Sequence, residues 1–399
     1  MMIQAVLGNP HHPEYGVATI PFPIPRDQYA HCMELLEAWE IGDAVKADCK
    51  VEKIDSFYTV LKRTEMLTVN VEELNYLAKR LDSFDTGEAA QFQAMAHKLE
   101  LFELKDLINL TFCCQQATVI TDFSDLAAIG RDHYMNLHGG SASVDELNTL
   151  DGKETARQLI ESGSGTITPY GVVYDNGMKL EQVYDGRFFP CYYYEPNAIT
   201  VAVTSKAEPE DTEHITWLLL PMVQEEIDRA LLRGGITDPA DVRLRLEDSQ
   251  LPNEVDVLLD MEYETLSDLN ELAEATDGLS KADMEKLGLF GPEHCVGDRA
   301  EQDYIGKVLV LSPDTLKESC WSQENQLWYA HDGFGCSPHA IGRSVRCTCL
   351  SDGEMTRWNR DEFVGVLDEK FLPDWAKESL SQFQQEEAAE SPGMNNQSM

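Results

Sequence analysis

The chain has 399 residues, of which 31 are Lys or Arg and 71 are Asp or Glu, so its formal net charge is −40 at pH 7. Hydrophobic residues make up 43% of the sequence, which is typical of folded proteins and excludes an intrinsically disordered chain. The negative charge repels the phosphates of DNA and RNA and argues against direct binding of nucleic acid. A chain of this length is expected to form about two or three domains.

The ten cysteines are scattered along the chain, with one adjacent pair at Cys113 and Cys114. The sequence does not begin with a basic segment followed by an apolar one, so no secretory signal is expected. The longest apolar run, Ile215 to Val223, is far shorter than a membrane span. These patterns predict a cytoplasmic protein with reduced thiols and no membrane association.

The first part of the chain predicts a small α/β subdomain over residues 1–66. Ile3 to Leu7, Gly16 to Pro25 and Lys50 to Leu61 have the composition of strands, and prolines stop the second of them. Apolar residues recur at helical spacing between Asp27 and Trp39. One helix on a small sheet is therefore expected.

Residues 67–140 predict a helical subdomain that opens with a helix over Val71 to Asp85. Asn70 is a favourable N-cap, and Glu73 can return a hydrogen bond to it. Four residues at helical spacing form its apolar face: Leu74, Leu77, Ala78 and Leu81. Four carboxylates lie off that face and are expected to be available to water or a partner: Glu72, Glu73, Asp82 and Asp85.

Further helices are expected over Glu88 to Leu101 and Leu104 to Leu110. Another is capped by Thr121 to Asp125 and ends at Gly139 and Gly140.

A β-hairpin subdomain is expected over residues 141–205. Asp175-Asn176-Gly177 is a hairpin turn signal, and the flanking runs, Gly165 to Val173 and Met178 to Phe189, have strand composition. Pro196 to Thr204 predicts one more strand. The charged segment Lys206 to His214 contains a proline and is interpreted as a domain boundary.

Residues 215–289 are interpreted as a second, partial copy of the N-terminal unit. Leu266 to Ser280 (LSDLNELAEATDGLS) matches the helix at Val71, and Thr265 with Asp268 repeats the capping pair. Pro221-Met222 matches Pro23-Ile24 at a similar offset. The copies are too far apart to be neighbouring repeats of a solenoid.

Residues 305–375 predict a separate mixed α/β module that holds four of the six tryptophans, with strands at Lys307 to Leu311 and Arg343 to Leu350. A linker, Phe290 to Asp303, precedes it. The polar tail over residues 384–399 is expected to be disordered.

This module also contains a cluster of potential metal ligands: Cys320, His331, Cys336, His339, Cys347 and Cys349. Their spacing matches none of the common zinc patterns, so buried structural thiols are favoured and no metal is assigned. A Cys/His nucleophile lacks a supporting motif, and no phosphate-binding loop or metalloprotease motif occurs. We therefore expect that the protein is not an enzyme and that it needs no cofactor.

The carboxylates are the strongest functional signal, and two interpretations remain open. They can form a solvated acidic surface, or they can imitate the phosphates of DNA. B-DNA carries one charge per ~1.7 Å of axis, so forty charges would match roughly 68 Å, or about 20 base pairs. A protein that binds DNA through Lys and Arg could then bind this chain, with a similar dependence on salt.

Four segments resemble the ArdA antirestriction proteins of conjugative plasmids and transposons. They are IPFPI at Ile20 to Ile24, VEELNYLAKRLD at Val71 to Asp82, VITDFSDLAAIGRDHYMNLHGG at Val119 to Gly140 and GTITPYGVVYD at Gly165 to Asp175. The resemblance covers about residues 1–190 and, more faintly, 215–289. These motifs concern the fold rather than catalysis.

The resemblance implies an elongated α+β body of small subdomains that is usually a homodimer. The second copy makes this chain partly duplicated and longer than one unit of the family. It implies a DNA mimic that occupies the DNA-binding groove of type I restriction–modification enzymes and protects an incoming mobile element. The acidic residues within or beside the matching motifs would then contact the enzyme: Glu72, Glu73, Asp82, Asp85, Asp122 and Asp125. Residues 305–375 have no counterpart in the family. The alternative is an acidic interaction adaptor, stabilised by zinc in that module.

Overall fold

The computed structural model describes residues 3–140, 142–207, 214–256, 259–279, 290–291, 294–296, 304–318, 325–331 and 344–390. The chain forms two compact units, residues 1–247 and residues 248–399. Both combine helices with small sheets, which confirms the predicted α+β class. None of the helices in the described ranges has the length and apolarity needed to cross a bilayer.

The first unit begins with an antiparallel sheet in the order β2-β1-β3-β4. Its strands are β1 (Ile3–Gly8), β2 (Val17–Phe22), β3 (Cys49–Asp55) and β4 (Thr68–Val69). Helix α1 (Tyr29–Glu37) buries Tyr29, Cys32, Met33 and Leu36 in the same core as these strands. The predicted strand at Lys50 continues only to Asp55, and Thr59–Thr64 forms a 3-10 helix.

Three helices follow: α2 (Val71–Asp82), α3 (Thr86–Lys98) and α4 (Leu104–Leu110). The Asn70 side chain accepts a hydrogen bond from the backbone N–H of Glu73, as predicted. The predicted apolar face of α2 is buried. The helix ends at Asp82, and Asp85 instead caps α3, where it forms a capping box with Glu88.

A second small sheet has the order β5-β7-β6, with β5 (Thr118–Ile120), β6 (Thr166–Thr168) and β7 (Gly171–Tyr174). Its three associated helices are α5 (Leu126–Leu137), α6 (Val144–Thr149) and α7 (Gly152–Glu161). Asp125 caps α5, and Gly139 and Gly140 adopt positive φ just after it, as predicted.

The predicted β-hairpin at Asp175-Asn176-Gly177 is wrong. Asn176 and Gly177 have the positive φ angles of a turn, 55° and 79°, but no strand follows them. The strand before the turn, β7, already pairs with β5 on one side and β6 on the other. Because both its edges are filled, the segment after Gly177 has no place beside it.

The duplication is visible in the strand order. β8 (Ile199–Ser205), β9 (Thr216–Leu220) and β10 (Val242–Ser249) form a sheet in the order β10-β8-β9, which matches β3-β1-β2. In each sheet a helix follows the second strand, here α8 (Gln224–Gly234). The proline directly after that strand, Pro23 or Pro221, is preceded by a cis peptide bond in both copies.

The repeated unit begins with β8, earlier than the predicted residue 215. Strands β8 and β9 lie on either side of the charged segment from Lys206 to His214, and they are paired antiparallel in one sheet. The prediction of a domain boundary there is therefore wrong; residues 208–213 lie outside the described residues. The matching helix is present as α10 (Leu266–Thr276), and Thr265 caps it as predicted; a short helix, α9 (Asn253–Asp256), precedes it.

The second unit contains a six-stranded sheet in the order β11-β16-β12-β13-β14-β15. Its strands are β11 (Cys295–Val296), β12 (Val308–Leu311), β13 (Leu327–Ala330), β14 (Ser344–Cys349), β15 (Met355–Asn359) and β16 (Phe363–Leu367). The strand pairings described within this sheet are antiparallel. Trp328 is fully buried in the core on one face of this sheet.

Two helices accompany this sheet, α11 (Pro313–Glu318) and α12 (Asp374–Glu390). Trp375, Ala376, Leu380 and Phe383 of α12 pack in the core on the other face. The helix continues to Glu390, so the prediction of a disordered tail from residue 384 is wrong for its first residues. Residues 391–399 lie outside the described chain.

The contact between α5 and α7 depends on two glycines. A Cβ on Gly130 would lie 1.8 Å from the carbonyl oxygen of Gly152, closer than any side chain can approach. A Cβ on Gly152 would lie 2.5 Å from the carbonyl oxygen of Ala127. The two helices therefore meet backbone to backbone.

We expect Gly130→Ala to separate α5 from α7 and to cost about 1–3 kcal/mol of local stability, as overpacking does. Peptide-resolved hydrogen exchange should show faster exchange in both helices. The control, Arg131→Ala, changes an exposed neighbour and should stay within about 0.5 kcal/mol of wild type. Unchanged exchange in Gly130→Ala would contradict the close contact.

Candidate functional site

Glu72, the first of the predicted partner-binding carboxylates, is engaged inside the fold. Arg229 on α8 donates to its Oε1 at 2.6 Å, and the Tyr29 hydroxyl donates to the same atom at 2.8 Å. The side chains of Arg229 and Glu72 are only 15% and 13% exposed. Although burial opposes the charged form, the Glu72 carboxylate holds the pKa of Arg229 above its usual value.

Glu73 is engaged in the same way. The Tyr184 hydroxyl donates to its Oε1 at 2.8 Å, and Arg233 lies 3.6 Å away. Arg233 is buried and also donates to Tyr184, to the Asn70 side chain and to three backbone carbonyls. Burial raises the pKa of Glu73, and the opposing effects of Tyr184 and Arg233 do not cancel this shift.

Glu72 and Glu73 are therefore occupied within the first unit, contrary to the expectation that they are available to a partner. They join α2 of the first copy to α8 of the second, and a third pair, Lys79 with Glu226 at 3.3 Å, connects the same helices. The sequence prediction missed the two arginines. Their spacing of four residues, which puts both on one face of α8, was the available signal.

Asp82 and Asp85 have different surroundings. Asp82 is half-buried and accepts a hydrogen bond from the Tyr194 hydroxyl at 2.9 Å. Asp85 is exposed, but its side chain accepts the backbone N–H of Glu88 at 2.8 Å. Of these two, only Asp85 presents its charge fully to solvent.

Asp122 and Asp125 are both exposed, as expected. The hydroxyl and the backbone N–H of Ser124 hold the pKa of Asp122 below its usual value. The backbone N–H groups of Ala128 and Ala127, at the start of α5, do the same for Asp125. Both carboxylates are therefore ionised at neutral pH and fixed in position.

These two aspartates belong to a larger set of exposed charges on and beside α5, α6 and α7, which we call the α5–α7 acidic surface. Residues 121–161 carry eight carboxylates and three cations, Arg131, Lys153 and Arg157. All eight carboxylates are exposed: Asp122, Asp125, Asp132, Asp145, Glu146, Asp151, Glu154 and Glu161. Three exposed apolar side chains lie among them: Phe123, Leu137 and Val144.

The predicted metal-ligand cluster is described only in part. Cys347 and Cys349 are buried in the sheet core, as expected for structural thiols, and burial raises the pKa of Cys349. His331 Nε2 lies 2.6 Å from the Thr348 hydroxyl. Cys320, Cys336 and His339 lie outside the described residues. Within the described ranges, no group of three or more His, Cys, Asp or Glu side chains could hold a metal ion.

Arg229→Met should destabilise the first unit by about 3 kcal/mol, because it leaves the Glu72 carboxylate buried without its cation. The double variant Arg229→Met/Glu72→Gln should recover much of this loss. Arg157→Met is the matched control, since its ion pair with Glu154 is 62% and 51% exposed, and it should cost less than about 0.5 kcal/mol. Urea unfolding followed by circular dichroism measures all four proteins, and equal effects at Arg229 and Arg157 would contradict the buried pair.

Glu73→Gln should alter the pH dependence of stability. Because the folded-state pKa of Glu73 is raised above 4.5, the carboxyl stabilises the fold most at low pH and loses this contribution as the pH rises through that pKa. The free energy of unfolding of wild type relative to Glu73→Gln should therefore fall as the pH rises from the ordinary glutamate pKa of 4.5 to neutrality. The exposed Glu161→Gln is the control, and a difference for Glu73→Gln that is constant across this range would refute the shift.

Two kinds of carboxylate therefore stand out in the first unit, those engaged in the junction of α2 and α8 and those on the α5–α7 acidic surface, while Asp82 and Asp85 belong to neither. The first kind holds the repeats together, and the second is presented to solvent. Comparison of the chain with protein-family models, with curated proteins and with solved structures finds no match.

Proposed function

We propose that the protein is a DNA mimic that binds the DNA-binding groove of a type I restriction–modification enzyme and inhibits it during the transfer of a mobile element. The observation that carries the proposal is the α5–α7 acidic surface, where eight exposed carboxylates stand against three cations within about forty residues. The sequence resemblance to antirestriction proteins includes α5 and the residues that cap it.

The carboxylates on this surface are suited to replacing phosphates. A DNA-binding groove recognises phosphates through Lys, Arg and backbone N–H groups, and carboxylates form similar charge-assisted hydrogen bonds. Asp122 and Asp125 keep fixed positions through hydrogen bonds to the chain, so they lose little side-chain entropy on binding. Binding of this kind requires no catalytic group and no contact with nucleic acid.

The apolar side chains within the surface offer a second source of affinity. Phe123 and Leu137 are about half exposed, and Val144 is 73% exposed. Apolar residues enclosed by charged ones are typical of protein interfaces, where they supply burial while the charges set orientation and the rate of encounter. The phosphate backbone of DNA offers no such apolar groups. These residues would therefore add affinity for a protein partner beyond what charge attraction alone provides.

We expect the purified protein to inhibit DNA cleavage and methylation by a type I enzyme at near-equal molar ratio, and to inhibit less at higher salt. The variant Asp132→Asn/Asp145→Asn/Glu154→Gln/Glu161→Gln should weaken inhibition by roughly tenfold or more, since each lost charge pair contributes a fraction of a kcal/mol. None of these four residues caps a helix, so the fold should persist.

The matched control removes four exposed carboxylates from the second unit: Glu262→Gln, Glu271→Gln, Glu354→Gln and Glu378→Gln. It has the same net charge as the test variant and should inhibit nearly as well as wild type. Equal loss in both variants would mean that only total charge matters and would contradict a defined surface. Failure of the wild-type protein to inhibit several type I enzymes would overturn the proposed function.

A further inference from the structure

The first unit contains a cavity of about 180 Å³ at the junction of the two repeats. Helix α2 and the residues after β2 form one side, and β9 with one face of α8 forms the other. The segment from Arg187 to Asn197 crosses between them and completes the wall. A space of this size accommodates a small aromatic molecule or a cluster of waters.

The walls are rich in aromatic rings. Phe189 is stacked between Tyr76, at a ring distance of 4.5 Å, and Tyr184, at 5.1 Å, so planar groups already pack face to face beside the cavity. On the opposite wall, Trp217 and Leu219 alternate with the buried Leu218 and Leu220 of β9 and remain half-exposed. Among the described residues, no ring stacks on Trp217. Its indole face is thus available to a planar ligand.

Asn75 supplies a buried hydrogen-bond donor. Only 4% of the residue is exposed, and its Oδ1 accepts the backbone N–H of Ile24 at 2.8 Å. Its Nδ2 donates to no described residue, although the side chain lines the cavity. Because Asn75 lines the cavity, this amide nitrogen can donate to a ligand that offers an acceptor.

The charges around the cavity differ from those of the protein as a whole. Five cations and three carboxylates line it, in a chain whose net charge is −40. Arg229 and Lys79 are paired with Glu72 and Glu226. Arg187 donates through Nε to the carbonyl oxygen of Arg233 at 2.7 Å, and its two terminal nitrogens donate to no described residue. They can bind an anionic group.

We propose that this cavity binds a small planar aromatic anion, whose ring packs on Trp217, whose ring acceptor receives Nδ2 of Asn75 and whose anionic group pairs with Arg187. A nucleoside monophosphate and a heteroaromatic carboxylate with a pyridine-type ring nitrogen both have this chemistry. The site is separate from the α5–α7 acidic surface and does not depend on the proposed function. Because residues of both repeats line the cavity, an occupant also stabilises their junction.

Isothermal titration calorimetry of the full-length protein tests the site with four probes: AMP, pyridine-3-carboxylate, adenosine and inorganic phosphate. AMP or pyridine-3-carboxylate should bind at least about tenfold more tightly than both adenosine and phosphate, since only the first two combine an acceptor-bearing ring with an anion. Which of the two binds better identifies the ligand class. Binding of phosphate as tight as that of AMP, or no binding by any probe, would overturn the proposal.

Three variants examine the contacts. Asn75→Asp keeps the acceptor for Ile24 and removes the donor, Trp217→Leu removes the ring, and Arg187→Ala removes the cation. Each should weaken binding of the preferred probe by about tenfold or more. Arg131→Gln, on the α5–α7 acidic surface, is the control and should bind like wild type. Arg187 is exposed, so its variant should fold even where Asn75→Asp does not, and unchanged affinity in Arg187→Ala would refute the anion contact.

Discussion

The buried contacts of Arg229 and Arg233 with Glu72 and Glu73 are the constraint on which the first unit depends. A charged group removed from water is tolerated only when its partners restore what hydration provided. Each arginine accordingly has a carboxylate, a tyrosine hydroxyl and backbone carbonyls around it. These groups come from both repeats and from the segment between them, so the repeats are joined by polar contacts that have a single correct arrangement.

This arrangement also explains which parts of the fold could be predicted from the sequence. The helix starts at Asn70, Asp125 and Thr265 were predictable because a cap and its N–H group lie within three residues of each other. The duplicated unit was detectable from matching helices and prolines. The absence of a hairpin at Asn176 was not predictable. The turn has the expected geometry, but the edge of β7 that the second hairpin strand would need is occupied by β5, which is distant in sequence.

The candidate site illustrates the same limit. Glu72 and Glu73 lie off the apolar face of α2, and this position led to the prediction that they are exposed to solvent. Arg229, the partner of Glu72, is 157 residues away from it along the chain, and no local pattern connects the two. Asp122 and Asp125 stayed on the surface because their hydrogen-bond partners are immediate neighbours. The side of a helix on which a residue lies can therefore be predicted from the local sequence. The residues from elsewhere in the chain that pack against that side cannot.

The two kinds of carboxylate respond differently to dissolved ions. At physiological ionic strength the Debye length is about 8 Å, and exposed charges are screened while buried pairs are not. Concentrated electrolyte would thus dissociate any basic partner from the α5–α7 helices and leave the arginines of α8 in place. The fold should therefore survive a high-salt wash that removes any bound basic partner, because the ion pairs that join its repeats are buried.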